Sequence, residues 1–487
     1  MTEHLSPQPP SLSLRRIFGL SGVYGITPII DRAMSLLLLP IFTRYLDTSG
    51  YGSMMLLYTA ASLLGLVAFM GLPDSLQKMY WDHGEKERKD FFGTIWVANA
   101  AIAAIVLVPL MMLAGPVSSS LLRNDKVSFL FILNCVRILI TTQSIIPFVI
   151  FRAREQKGKI LAVNIISIVV RAGLTAWLLM VVKLGLLGVF LADIGAAAAT
   201  LVIYLPGLWR EINLTFHWKY LGEAMTLFPF QFTVEVLAWI ISLSDRILIQ
   251  HLLKDTSQVG IYALGYTIGS SVLFLVSPFM AAWRPYVYSV HSASGEEYRK
   301  QMGQFFGYFY MICCCSFLVI ASFSRELIIL MTTSNFLAAV KIVPIVLLAQ
   351  ILATISNYFL PTFFIAKRMQ LVIISYAVAA AANIGCNFLL IPIKGIMGSA
   401  WSTLISYAIL AIMLGHFSQK KIPFKIPSMF LASVTIGTLG LWAILEIIPT
   451  TGFITSILIK GAIISTALLM AALWIYRKRT SSKAAIS

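Results

Sequence analysis

Apolar stretches long enough to cross a bilayer, about 20 residues each, recur along the whole chain and are separated by short polar loops. Hydrocarbon offers no water to a free backbone N–H or C=O, so such stretches can only be helices or strands of a closed barrel. They are twice as long as a barrel strand, which leaves helices. Of the 487 residues, 59% are hydrophobic and 12% charged, against the roughly 25% charged of soluble domains. A soluble multidomain protein is excluded.

The spans are expected at 17–41, 51–72, 91–113, 128–150, 160–182, 185–208, 224–250, 259–282, 304–324, 336–360, 370–391, 396–417, 428–448 and 452–476. The connections at 183–184 and 449–451 are too short for anything but antiparallel hairpins. The expected fold is therefore an all-α polytopic membrane protein with 14 transmembrane helices. Its parts are a cytoplasmic tail (1–16), an N-terminal six-helix bundle (17–208), a cytoplasmic linker (209–223), a C-terminal six-helix bundle (224–417), helices 13 and 14 (418–476) and a cytoplasmic tail (477–487).

The formal charge of +17 sits in small basic groups between apolar segments, a pattern of membrane orientation rather than of nucleic-acid binding. With a cytoplasmic N-terminus, the loops on that side hold 24 Lys and Arg and those on the other side hold 7. The bias supports an even number of spans, with both termini cytoplasmic. Arg15 and Arg16 then anchor the first helix; no small-residue cleavage site follows them as it would in an export signal. The five cysteines all fall in apolar runs and read as small buried residues, and no two of the six histidines have metal-site spacing.

The chain also repeats itself. "RYLDTSGYG" at 44–52 parallels "HLLKDTSQVG" at 251–260, with Asp47 opposite Asp255; "NIISIVVRAG" at 164–173 parallels 372–381; and Gly185 and Gly188 parallel Gly395 and Gly398. An offset of six helices gives parallel halves related by an axis along the membrane normal, with a cleft between them and helices 13 and 14 outside the repeat.

Charges inside the spans need a reason, because each costs at least about 2.5–3.5 kcal/mol at mid-membrane. In helix 1, Tyr24, Thr27, Asp31 and Ser35 share a face, with Arg32 beside it. Helix 4 carries Asn134, Arg137, Thr141 and Ser144; helix 5 carries Asn164, Ser167, Arg171 and Thr175; helix 7 carries Gln231, Glu235, Ser242 and Asp245, with Arg246 adjacent. Uncharged stripes such as Ser399, Thr403 and Ser406 read as glue between helices. Stripes with mid-span arginine read as cavity walls. A guanidinium binds phosphate through a planar fork, so Arg32, Arg137 and Arg171 suit an anionic substrate; Arg246 is the fourth candidate cation, but near the outer end of helix 7 it and Asp245 equally suit snorkelling or a structural ion pair. Asp31, Asp193, Glu235 and Asp245 are candidates for a coupling ion or for neutralising a neighbouring arginine. Pro28, Pro229 and Pro344 are candidate kinks.

At 36–60 the chain resembles the first hairpin of the polysaccharide and O-antigen flippases (Wzx type) of the multidrug/oligosaccharidyl-lipid/polysaccharide exporter superfamily. "SLSDRILIQHLLKDTSQVGIYALGYTIGSSVLFLVSPFMAAWRPYVYS" at 242–289 and "IPIKGIMGSAWSTLISY" at 391–407 are similar to their central segment and twelfth helix. The resemblance implies a bacterial inner-membrane flippase, not an enzyme, that moves an undecaprenyl-pyrophosphate-linked oligosaccharide by alternating access. It implies no bound cofactor, only a proton or sodium gradient, with cavity cations on the substrate. Its implied partners are the lipid-linked oligosaccharide, membrane lipids, and a polysaccharide polymerase and chain-length regulator. A multidrug antiporter of the same superfamily is the alternative, disfavoured by the arginines; a membrane glycosyltransferase lacks the outer domain it would need.

Overall fold

The computed structural model describes residues 34–69, 73–122, 127–226, 228–291, 295–448 and 452–466, and among them every regular element is a helix. Asp31, Arg32 and Pro28, together with most of the expected first span, lie outside the described residues. The chain runs through α1 (Met34–Tyr45), α2 (Thr48–Phe69), α3 (Pro73–Asp82), α4 (Glu85–Met112), α5 (Ser128–Ala153), α6 (Lys157–Val181), α7 (Leu186–Leu208) and α8 (Trp218–Met225). There follow α9 (Phe228–Leu253), α10 (Thr256–Gly269), α11 (Val272–His291), α12 (Gly295–Ser322), α13 (Ser324–Met331), α14 (Val343–Ile365), α15 (Met369–Lys394), α16 (Ile396–Lys421), α17 (Ser428–Ile447) and α18 (Phe453–Thr466).

Among the described residues, 10 helices are long and apolar enough to cross a membrane, or 12 if the bent pairs α8–α9 and α10–α11 each count as one span. The expected 14 are not reached. α1 and α18 are shorter helices, and the rest of their expected spans lies outside the described residues.

Two expectations need correction. The span at 259–282 is not one straight helix, because α10 and α11 meet at Ser270–Ser271 with a bend of 47°. The span at 336–360 begins only at Val343, after a 3-10 turn over Ser334–Lys341, and Pro344 sits in its first turn. A proline there gives up an N–H that has no helical partner anyway, so it starts the helix and does not kink it.

Matched positions of the sequence repeat hold matching local structure. Asp47 and Asp255 both precede a helix, and their carboxylates accept the Gly50 and Ser257 backbone N–H at 2.7 and 2.9 Å, the helix-capping role for which short polar side chains suit. Gly185 and Gly395 both turn the chain with positive φ, 56° and 58°, directly before α7 and α16.

Two helices touch backbone to backbone where α2 crosses α10. A Cβ on Gly52 would lie 2.0 Å from the Thr256 carbonyl oxygen, and one on Gly260 would lie 2.1 Å from the Thr48 carbonyl oxygen. Neither glycine can accept a side chain without parting the helices, and this reciprocal crossing brings the backbones together where lipid supplies no hydrophobic drive for association.

A second apolar core lies beneath α4, α5 and α7, where α3 and α8 pack Leu76, Tyr80 and Ala224 against Phe91, Phe92, Ile150 and Leu208. Arg154 ties this core together by donating to the Tyr80 hydroxyl at 2.6 Å and pairing with Glu211.

Gly52→Leu is expected to lower the thermal midpoint sharply in detergent, by the 1–3 kcal/mol or more of an overpacked contact, whereas Gly84→Ala, where a Cβ would meet nothing within 4 Å, should leave it unchanged. Equal midpoints for the two variants would contradict the crossing.

Candidate functional site

A cavity of about 920 Å³ opens between α1, α2, α5, α6 and α7 on one side and α10 and α11 on the other. Helical period decides which residues reach it. α2 contributes Tyr51, Met55, Tyr58, Ser62 and Gly65, steps of three and four on one face, while α5 contributes Arg137, Thr141 and Ser144 and α6 Ser167 and Arg171. α7 adds Asp193, Ala197 and Thr200, and the bend between α10 and α11 adds Tyr266, Thr267, Ser270 and Ser271.

One wall is built on an ion pair whose carboxylate is buried. Arg171 Nε donates to Asp193 Oδ1 at 2.6 Å, and the Tyr58 hydroxyl donates to Asp193 Oδ2 at 2.6 Å. The Asp193 side chain is 5% exposed and that of Arg171 30% exposed. Both carboxylate oxygens are thus held by protein donors, while Arg171, which also reaches the Tyr58 hydroxyl from Nη2 at 3.5 Å, lines the cavity with N–H groups to spare. Arg137 lies on the same wall, its Cζ 5.9 Å from the Tyr58 ring centroid. Its Nε donates to Asn134 Oδ1 at 2.9 Å, and Asn134 in turn donates to the Leu57 carbonyl at 2.8 Å. Asn134 therefore aims the arginine and braces α5 against α2. Among the described residues, no carboxylate lies within ion-pair distance of Arg137. The charged residues described on the wall are two arginines and one aspartate, so this lining is net positive.

The other sequence candidates fall elsewhere. Arg246, expected as a cavity cation, is not on the wall: it is 5% exposed, stacks 4.6 Å from the Tyr266 ring centroid and donates to the Ser242 carbonyl. Asp245 beside it is fully buried, 3.4 Å from Arg246 Nη1, and accepts the Tyr262 hydroxyl. This pair is wired into the packing of α9, α10 and α16, one ring behind the cavity. Glu235 accepts from Gln231 on its own helix at 2.8 Å and is absent from the wall. Asn134 and Thr175, expected on polar stripes, are buried between helices. Asp31 and Arg32 lie outside the described residues.

Sequence reading missed Tyr58, Ser62 and the Thr267–Ser271 hydroxyls because it followed charge. The available signal was the spacing of seven and four that puts Tyr51, Tyr58 and Ser62 on one face of α2. It also missed Glu326, which accepts Lys460 Nζ at 2.8 Å and ties α18 to α13; without its partner helix, Glu326 reads as an ordinary loop acid.

These features define a multi-pass membrane protein folded around a cavity whose described charged lining is net positive. The family profile described as "Polysaccharide biosynthesis protein" matches residues 21–291, more than half of the chain, and the chain belongs to that family. No curated relative matches the sequence.

Among solved structures, the fold is similar to that of the lipid II flippase MurJ in an inward closed conformation, with a TM-score of 0.75 and 14% identity over 96% of this chain and 100% of that one. It is also similar to the MATE multidrug transporter DinF-BH, with a TM-score of 0.63 and 14% identity over 87% of this chain and 100% of that one. A point mutant of the Vibrio cholerae MATE transporter VcmN gives a TM-score of 0.59 and 15% identity over 83% of this chain and 96% of that one. At such identities the likeness is one of fold.

Arg171→Ala should destabilise the purified protein, because it strands a buried carboxylate, a loss of about 3–5 kcal/mol for buried pairs. Arg171→Ala combined with Asp193→Asn should recover part of that loss, with a coupling of about 0.5–3 kcal/mol in a thermal-shift double-mutant cycle. Strictly additive midpoints would contradict the pairing.

Proposed function

We propose that this chain is a flippase for a lipid-linked oligosaccharide, undecaprenyl-pyrophosphate carrying an O-antigen or exopolysaccharide repeat unit, in a bacterial inner membrane. The observation that carries the reading is the cavity wall that Arg137 and Arg171 both line, each with its Nε bonded to protein and Nη donors to spare. Two adjacent planar forks match the oxygens of a diphosphate better than any cation. The family to which the chain belongs and the likeness of its fold to a lipid II flippase support the same reading.

In this mechanism two six-helix bundles, followed by helices 13 and 14 to make 14 spans, rock about the α2–α10 crossing with both termini in the cytoplasm. The reciprocal glycine contacts at Gly52 and Gly260 support such a two-fold arrangement. The diphosphate enters from the cytoplasmic side, is neutralised by Arg137, Arg171 and the sequence candidate Arg32, and leaves on the other side for a polymerase and chain-length regulator. A proton or sodium gradient supplies the drive, with Asp31 and Asp193 as the carboxylates nearest these arginines in sequence or space.

The multidrug-antiporter reading draws on the MATE neighbours. It fits the wall less well, because Asp193, the carboxylate described there, is already bonded on both oxygens and two arginines would repel a cationic drug.

The test is translocation of fluorescent undecaprenyl-diphosphate-oligosaccharide in proteoliposomes. Arg137→Ala should slow it roughly 10- to 100-fold, the weight of a charge-assisted hydrogen bond of about 1.5–3 kcal/mol. Arg137→Lys should fall between, since a point charge lacks the fork. An Arg137→Ala protein that reconstitutes normally and keeps the wild-type rate would overturn the reading.

A further inference from the structure

Among the described residues, three side-chain hydroxyls on the cavity wall have no protein partner: those of Ser144, Ser167 and Ser271. Most of the other wall hydroxyls are spent on their own helices. Thr141, Thr200, Thr267 and Ser270 each donate to a carbonyl one turn back, at 2.7–2.9 Å.

Ser144 is the most demanding of the three, since it is 8% exposed and its Oγ is buried and unpartnered. Leaving such a group unsatisfied is unfavourable, so its position on a cavity wall points to a hydrogen-bonding occupant. It sits at a break in α5, between the segments Ser128–Gln143 and Ile145–Ala153. Pro147 has no N–H to offer the Gln143 carbonyl, and the Trp96 indole on α4 donates to that carbonyl instead, at 3.2 Å. Asn99 donates to the Thr142 carbonyl at 3.1 Å. The break is therefore held open by α4, which fixes where the Ser144 hydroxyl sits.

Ser271 lies at the other break, the 47° bend between α10 and α11. Thus each side of the cavity carries an unspent hydroxyl at a point where its helix is interrupted, and the Ser144 Oγ, covered as it stands, reaches an occupant by turning about χ1. A hydroxyl both donates and accepts, and carries no charge. Its natural complement is a polyol, not a second anion.

We propose that the helix breaks at Ser144 and Ser271 form a neutral subsite that reads the first pyranose attached to the diphosphate, next to the arginine wall that holds the diphosphate itself. The inference rests on the flippase reading above and adds what distinguishes one headgroup from another. At about 920 Å³ the cavity is at the upper end of the roughly 300–1,000 Å³ of small-ligand sites, so it takes the diphosphate and the first sugars and leaves the prenyl chain in lipid.

The experiment measures binding of two kinds of probe to the full-length protein in detergent: farnesyl diphosphate alone, and farnesyl diphosphate bearing a single glucose, galactose or N-acetylglucosamine. The wild type should bind at least one glycosylated probe about tenfold more tightly than the bare one, the weight of two neutral hydrogen bonds. Ser144→Ala with Ser271→Ala should bring that ratio to within about twofold of unity while bare-probe binding stays at the wild-type level, which also shows that the variant is folded. Threonine at both positions, which keeps the hydroxyl, should retain the preference.

If the bare probe binds but none of the glycosylated probes binds better, or if the double alanine variant keeps the wild-type ratio, the subsite is refuted and the diphosphate reading stands. If no probe binds at all, the diphosphate reading falls and the subsite falls with it.

Discussion

The constraint that organises this molecule is that hydrocarbon leaves a polar group nowhere to go. Backbone groups escape by forming helices, and side chains escape by pairing or by facing a shared polar space. Asp193 shows how this works. Its two oxygens, buried among α2, α6 and α7, are satisfied by Arg171 and Tyr58, and that single carboxylate sets the position of a guanidinium on the cavity wall. The same requirement produces a different result at Asp245 and Arg246, where the pair, Tyr262 and Tyr266 close on one another and no charge is left for a ligand.

The fold supplies this arrangement through close backbone approach. α2 carries Gly52 into the crossing with α10 and, a turn and a half later, presents Tyr58 to the cavity. The crossing and the cavity wall therefore share one rigid element, so a movement of α10 against α2 would change the cavity's shape. The breaks at Ser144 and at Ser270–Ser271 occur where α5 and α10–α11 flank that space.

Much of this was legible in the sequence because it is periodic. The apolar runs predict α2, α5 to α7 and α15 to α17 to within a few residues, and the Asp47/Asp255 and Gly185/Gly395 matches mark a shared cap and a shared positive-φ turn. The Arg137 and Arg171 stripes point to the cavity because a mid-span arginine has few other places to face. Of the two readings of Arg246 the structural pair with Asp245 is the one found; a charge's period gives its face but not its partner, and the aromatic ring of Tyr266 on another helix was not legible. The bend at Ser270–Ser271 was hidden because no proline marks it. Tyr58 was overlooked because a tyrosine among apolar residues looks like packing until its hydroxyl is seen on a carboxylate.

The account's central claim is that this cavity is a path open in turn to each side of the membrane. It is tested most directly by replacing the five native cysteines, placing a single cysteine at Thr200 on the cavity wall, and measuring reaction with a membrane-impermeant thiol reagent in right-side-out and inverted vesicles. The account predicts reaction from both sides, slowed on both by undecaprenyl-diphosphate-linked sugar. Reaction from one side only, indifferent to that lipid, would contradict it.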